Sequence, residues 1–261
     1  MIRKFVAAAA LSAAVLLTSV STLLADQQKP TIVLVHGAFA GSDSWDKVNA
    51  LLVDKGYSVI SLANPLRGVA SDSAYATKLI EQIDGPVVLV GHSYGGAVIS
   101  NVEPKKADVK ALVYVSAFSP DIGESAASIS DHFPGGTLGP ALAKPVEISG
   151  GDKDLYIDQT KFRDQFAQDV PEKQARLMAI GQRPIAASAL SEPSKSALWK
   201  SVPSWHVYGT GDKNIPAAAL KFMAERAKSK ETVAVKDASH MVMVSNPEKV
   251  AKVIEDAATS N

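Results

Sequence analysis

The sequence predicts an α/β fold: a mostly parallel sheet of about six strands with helices on both faces and a helical cap insertion between two of the strands. Three observations carry that prediction. Short unbroken runs of β-branched and aliphatic residues recur along the chain, as strands buried on both faces require. Between them lie segments with apolar residues at helical spacing. One stretch, residues 118–200, breaks the alternation with prolines, glycines and scattered helical pieces, and an insertion that long is expected to carry structure of its own.

Taken in order, the first strand is Thr31–Val35, ended by His36-Gly37. Trp45, Val48 and Leu52 then fall at helical intervals until Gly56 stops the helix. Residues 57–62 read as a second strand, and Ala76, Leu79, Ile80 and Ile83 as the apolar face of a second helix. Residues 86–90 form a third strand that runs directly into Gly91-His92-Ser93-Tyr94-Gly95, and residues 111–115 a fourth. Within the cap, 161–167 and 171–180 have helical character. Residues 205–208 are a fifth strand, Leu220, Met223, Ala224 and Ala227 mark a helix, and 232–235 are a sixth strand. The last helix opens with Asn246-Pro247, a capping residue followed by proline at the first helical position, and continues through Val250, Val253, Ile254 and Ala257.

The chain of 261 residues is 46% hydrophobic and 21% charged, enough for one domain with a sizeable core. Its 27 basic and 27 acidic side chains cancel, and no basic run gives a footprint for nucleic acid. Met1-Ile2-Arg3-Lys4 followed by an apolar run to Leu24 and then Ala25-Asp26 reads as a secretory signal peptide over residues 1–25, ahead of a domain at 26–261. The run is also long enough to be retained as a membrane anchor; cleavage would leave a mildly acidic, periplasmic or secreted protein without a membrane segment. The absence of cysteine excludes disulfides, thiolate metal sites and cysteine nucleophiles.

The chemistry concentrates in Gly91-His92-Ser93-Tyr94-Gly95. A G-x-S-x-G between a buried strand and a small-residue helix start places the serine on a sharp strand-to-helix turn, where glycines on either side avoid steric clash. A serine hydroxyl needs a base at neutral pH. His240, in the polar loop after the last strand, is the candidate. His206 lies inside a strand, His36 begins the loop after the first strand and orients it, His92 points away from the serine, and His132 sits in the cap. The base in turn needs a buried carboxylate to fix its tautomer. Asp212, just past the fifth strand, fits the order Ser…Asp…His. Asp121, after the fourth strand, is its rival, whereas Asp152 and Asp154 are assigned to a solvated cap loop. The backbone N–H groups of Ala38 and Tyr94 are the candidate oxyanion hole, with Gly37 allowing the backbone to turn inward.

These motifs resemble the α/β-hydrolase superfamily across residues 30–260. Val35-His36-Gly37-Ala38-Phe39…Trp45, Gly91-His92-Ser93-Tyr94-Gly95-Gly96 and His240-Met241-Val242-Met243 are similar to the branch holding plant methylesterases and hydroxynitrile lyases, and to bacterial esterases. The resemblance implies a triad on Ser93, Asp212 and His240 and oxyanion amides on Ala38 and Tyr94. The lyases of that branch carry lysine after the catalytic histidine and threonine in the oxyanion loop, where this chain has Met241 and Gly37; that is the esterase pattern. The expected activity is therefore cleavage of a small or medium apolar carboxylic ester through an acyl-enzyme, with no metal or organic cofactor. Phe39, Tyr94, Phe118, Leu155, Tyr156, Met178, Trp199 and Met241 are the candidate pocket residues. Peptidase, lactonase, perhydrolase and hydroxynitrile lyase chemistry could use the same constellation, and a non-catalytic binding or signalling protein on this scaffold is the alternative from outside enzymology.

Overall fold

The computed structural model describes residues 28–260. The signal segment predicted at 1–25 lies outside the described residues. The chain runs from β1 (Thr31–Val35) through α1 (Asp46–Asp54) to β2 (Val59–Leu62), through α2 (Val69–Ile80) to β3 (Pro86–His92), and through α3 (Tyr94–Ser100) to β4 (Asp108–Val115). It then leaves the sheet for the cap. This contains α4 (Ala126–His132), α5 (Leu138–Ala141), β5 (Val146–Glu147), β6 (Lys153–Leu155), α6 (Phe162–Phe166), α7 (Glu172–Gly181), β7 (Ile185–Ala186) and α8 (Ala187–Ser191). It returns through β8 (Ser204–Gly209), α9 (Ala217–Arg226), β9 (Glu231–Val235), α10 (Val242–Ser245) and α11 (Pro247–Thr259).

The main sheet has six strands in the order β2-β1-β3-β4-β8-β9, and every pairing is parallel. Its central strands are aliphatic throughout because both faces are covered: Ile32 to Val35 and Val87 to Val90 are all buried. α1 packs against α11, and α11 against β3, β4 and β8, while α2 packs on α3. The core-facing stripe of α11 (Val250, Val253, Ile254, Ala257) is buried, and each large aliphatic there contributes roughly 1.5–3 kcal/mol. The edge strand β9 instead alternates buried and exposed positions.

From β1 the chain steps outward to β2, then crosses back beyond β1 to β3. The strand order reverses there, so the loops leaving the carboxyl ends of β1 and β3 diverge and open a crevice between them. Val35 pairs with Gly91 in register, which sets the loop after β1 beside the turn after β3.

The structure departs from the sequence expectations in three places. The cap holds a three-stranded antiparallel sheet, β5-β6-β7, besides its helices. Strands of two or three residues carry no readable alternation, and the signal lies instead in Gly150 and Gly151, whose φ values of 83° and 81° turn β5 back onto β6. β4 begins at Asp108, ahead of the apolar run, because its first residues project beyond the helical layers. Asn246 does not cap α11 with its side chain; its Nδ2 donates to Ser245 Oγ, while Pro247 does occupy the first turn. Among the described residues no helix is long and apolar enough to cross a membrane.

Candidate active site

Ser93 sits between the end of β3 and the start of α3 with φ 54° and ψ −124°, a conformation that costs a non-glycine residue on the order of 1–3 kcal/mol. The turn is closed by backbone bonds: Ser93 O accepts from Gly96 N–H at 3.0 Å and from Phe118 N–H at 3.1 Å. It is possible only because its neighbours lack side chains. A Cβ at Gly91 would lie 2.6 Å from Gly95 O, and one at Gly95 would lie 2.3 Å from Val35 O. The hydroxyl of Ser93 has no hydrogen-bond partner among the described residues and faces a cavity.

The loop after β1 passes over this turn. Gly37 does not adopt a positive φ; its requirement is space, since a Cβ there would meet Ser93 Cβ at 2.6 Å. His36 fixes the loop. Its Nε2 accepts from Asn64 N–H at 3.0 Å, so the ring proton is on Nδ1, which donates to Gly37 O at 2.9 Å. Asn64 Nδ2 also donates to His36 O. Burial pulls the His36 pKa down to about 4, which keeps this tautomer neutral. With Gly37 O held by His36, the N–H on the same trans peptide, that of Ala38, must point the opposite way. The Ala38 and Tyr94 N–H groups have no partner among the described residues, whereas the next amide, Phe39 N–H, donates to Arg183 O at 2.9 Å.

His240 Nδ1 donates to Asp212 Oδ2 at 2.6 Å, and both side chains are fully buried. The other carboxylate oxygen accepts from Asn214 N–H at 2.8 Å and Ile215 N–H at 3.0 Å, so Asp212 is oriented before the imidazole binds it. The proton on Nδ1 leaves Nε2 as the bare nitrogen, and His240 lines the same cavity as Ser93. The loops carrying Asp212 and His240 are joined: Gly211 N–H donates to Ala238 O, and a Cβ at Gly209 would lie 2.2 Å from that same oxygen. The cap grips both loops, with Gln168 Nε2 on Gly211 O at 2.7 Å and Asp169 Oδ2 accepting from Ser239 N–H at 3.1 Å. Neither Gln168 nor Asp169 carries a motif, so nothing in the sequence singled them out.

The remaining candidates separate cleanly. Asp121 lies apart from His240 and pairs with Lys200 at 2.5 Å, which holds its carboxyl below the usual range. Asp152 accepts from Ser188, and Asp154 from Arg67. His206 is buried in β8, stacked on Tyr114 at 4.7 Å, and burial pulls its pKa to about 3. His132 is exposed at the end of α4. His92 runs beneath the base loop: its Nε2 donates to His240 O at 3.2 Å, and burial first, then His240, holds its pKa well down. Asp72, which no motif announced, is buried and accepts from Tyr94 Oη at 2.9 Å, fixing the side chain that follows Ser93.

The cavity that joins Ser93 to His240 has a volume of about 340 Å³. Phe39, Tyr94 and Phe118 line it, and the cap adds Leu138, Leu142, Phe166 and Leu190. The other five expected pocket residues lie elsewhere. Trp199 is turned away, with its Nε1 donating to Pro120 O at 2.8 Å, and Tyr156 and Leu155 belong to the small cap sheet and its continuation. Met241 is fully buried and, with Met178, lines a different cavity. Adjacency to a site residue, or aromatic character within the cap, does not make a pocket wall here, because the turn after His240 and the cap hairpin send these side chains elsewhere.

A model of the Alpha/beta hydrolase family matches residues 32–253. The chain is 29% identical to an alpha-hydroxynitrile lyase of Arabidopsis thaliana, over 89% of this chain and 98% of the relative, and 25% identical to methylesterase 2 of the same plant, over 85% and 94%. The fold superposes on the crystal structure of polyneuridine aldehyde esterase with a TM-score of 0.75 at 22% identity, covering 88% of this chain and 99% of that one. An extracellular α/β-hydrolase from a Paenibacillus species gives a TM-score of 0.71 at 24% identity, over 88% and 100%.

Proposed function

The chain belongs to the alpha/beta hydrolase family, and from that premise we propose that it is a serine esterase acting on small or medium, uncharged carboxylic esters. One observation carries the reading: an unpartnered serine hydroxyl on a strained turn and a buried carboxylate–imidazole pair open onto one cavity. His240 Nε2 takes the proton of Ser93 Oγ as the oxygen attacks the ester carbonyl. The Ala38 and Tyr94 N–H groups receive the oxyanion, and the His36 bond to Gly37 O keeps the first of them presented. Asp212 stabilises the imidazolium that forms. The C–O bond to the alcohol breaks as His240 returns the proton to it, and a water deprotonated by His240 then cleaves the acyl-enzyme.

Among the described residues the cavity lining holds no lysine or arginine, and Asp131 is its one carboxylate. A substrate carboxylate would find no partner, which favours neutral esters. The names of the methylesterase and esterase relatives agree with ester hydrolysis. The lyase relative favours cyanohydrin cleavage as a second reading. Against it, Met241 puts no charged group into the cavity.

Hydrolysis of a p-nitrophenyl ester series by residues 26–261 tests the proposal, with a cyanohydrin as the competing substrate. Ester turnover that falls at least ~10³-fold in Ser93→Ala and His240→Ala, and ~10²–10⁴-fold in Asp212→Asn, is the expected result. Cyanohydrin cleavage without ester turnover would replace the esterase with a lyase, and a Ser93→Ala variant as active as wild type would remove the serine mechanism.

A further inference from the structure

Two cavities share a single side chain. Phe39 lines the cavity that holds Ser93 and His240, and it also lines a second cavity of about 310 Å³. Among the described residues no other borders both. Ala38 and His240 line the first, while Ala40 and Met241 line the second, so Phe39 stands where the two cavities meet. The second cavity runs along α7, with Met178, Met241 and Val244 as apolar walls and the exposed Asp46 and Lys47 where it meets solvent.

The ring is held in place. Phe39 has φ 60°, its N–H is committed to Arg183 O, and the side chain is almost fully buried. It meets Phe166 edge-on at 6.0 Å between centroids, and Phe166 lies 5.0 Å from the His240 ring. Burial and the contact with Phe166 hold the side chain at the junction of the two cavities.

We propose that Phe39 is the specificity-determining residue of this site: its ring ends the substrate cavity and confines the enzyme to esters with a short alkyl arm. The second cavity, lined by the thioethers of Met178 and Met241, is a ready-made extension for a longer linear chain once the ring is shortened. The inference rests on the esterase reading and is separable from it by experiment.

The test is kcat/KM for acetyl through decanoyl p-nitrophenyl esters, and for acetates of linear alcohols of the same lengths, in wild type, Phe39→Ala, Met178→Trp and the double variant. Wild type is expected to prefer short chains. In Phe39→Ala the long-to-short ratio of one series rises on the order of ten-fold, because a hydrophobic pocket discriminates chain length by about that much. Met178→Trp, which fills the second cavity, leaves the wild-type ratio unchanged and cancels the gain in the double variant. A ratio is insensitive to the general loss of activity that a damaged fold would cause. An unmoved ratio in Phe39→Ala, or a gain that survives Met178→Trp, overturns the inference. Should Phe39→Ala not fold, Phe39→Leu is expected to shift the ratio the same way, and an unmoved ratio there counts against the wall equally. Loss of long-chain turnover in Met178→Trp alone would mean the second cavity is already open in the native enzyme, which also overturns it. A wild type inactive on every ester removes the esterase reading and this inference together, whereas an active wild type with an unmoved ratio removes only this one.

Discussion

The carboxyl edge of the main sheet and the cap meet at one cavity but are built differently. At the sheet edge, position is imposed by sterics on backbone: Gly37, Gly91, Gly95 and Gly209 each admit another strand or loop to a distance that a Cβ would forbid. Ser93 and Asp212 ride on loops that leave the buried strands β3 and β8, and His240 on the loop that leaves the edge strand β9. The cap is assembled from strands of two or three residues and helices of four to ten, joined by side-chain bonds such as Gln182 to Ile157 and tied to the main domain by others such as Arg67 to Asp154. Several of its glycines, including Gly139, have nothing within 4 Å of a notional Cβ. The difference teaches a division of labour. The sheet edge fixes chemistry and tolerates little, while the cap shapes the cavity and tolerates much.

The largest expected effect sets the two regions directly against each other. Ser93→Ala or His240→Ala should cost at least ~10³-fold in kcat/KM on an ester. Leu190→Ala, on the cap side of the same cavity, should change it by no more than about ten-fold, chiefly through KM. A Leu190 variant as damaged as Ser93→Ala would break the comparison.

The next contrast is in stability. Gly95→Ala drives a methyl to within 2.3 Å of Val35 O, against backbone that cannot move without shifting β1. A loss of about 3 kcal/mol or more is expected in urea unfolding, up to failure to fold. Gly139→Ala in α5 meets no atom and should stay within about 0.5 kcal/mol of wild type. Equal losses at the two positions would contradict the division.

These contrasts also explain what could be read from the sequence. Strands such as Thr31–Val35 and Pro86–His92 are legible because burial on both faces leaves an unbroken aliphatic run. The turn at Ser93 is legible because sterics demand glycine at Gly91 and Gly95. The cap sheet is not legible, because its strands are too short for a periodicity of their own and its third strand pairs from far along the chain, Ile185 with Leu155. The pocket walls fail for the same reason: whether Trp199 or Leu190 faces the cavity depends on how cap pieces dock. Roles made by single hydrogen bonds between distant residues, such as Asp169 with Ser239 and Asp72 with Tyr94, left no trace at all.

The smallest effect is a pH dependence confined to the sheet. His36, His92 and His206 are buried there, with pKa values pulled to about 4 for His36, to about 3 for His206 and well down for His92, in each case chiefly by burial. In the unfolded chain they return to about 6.5. Between those values the unfolded state binds the extra protons, so stability is complete above pH 6.5 and falls as pH drops toward 4. Each histidine contributes a slope of about 1.4 kcal/mol per pH unit over that window. His206→Phe should make the fall shallower by about one such share, read as the urea midpoint between pH 7 and pH 4.5. An unchanged slope would mean that His206 takes up a proton in the folded state.

The central claim is that Ser93, activated by His240, is the nucleophile. Labelling with a fluorophosphonate followed by peptide mass spectrometry tests it without knowledge of the substrate. The account predicts a single adduct on the peptide carrying Ser93, absent in Ser93→Ala and formed at least ~10³-fold more slowly in His240→Ala. No adduct on the wild type, or an adduct on another serine, would contradict it.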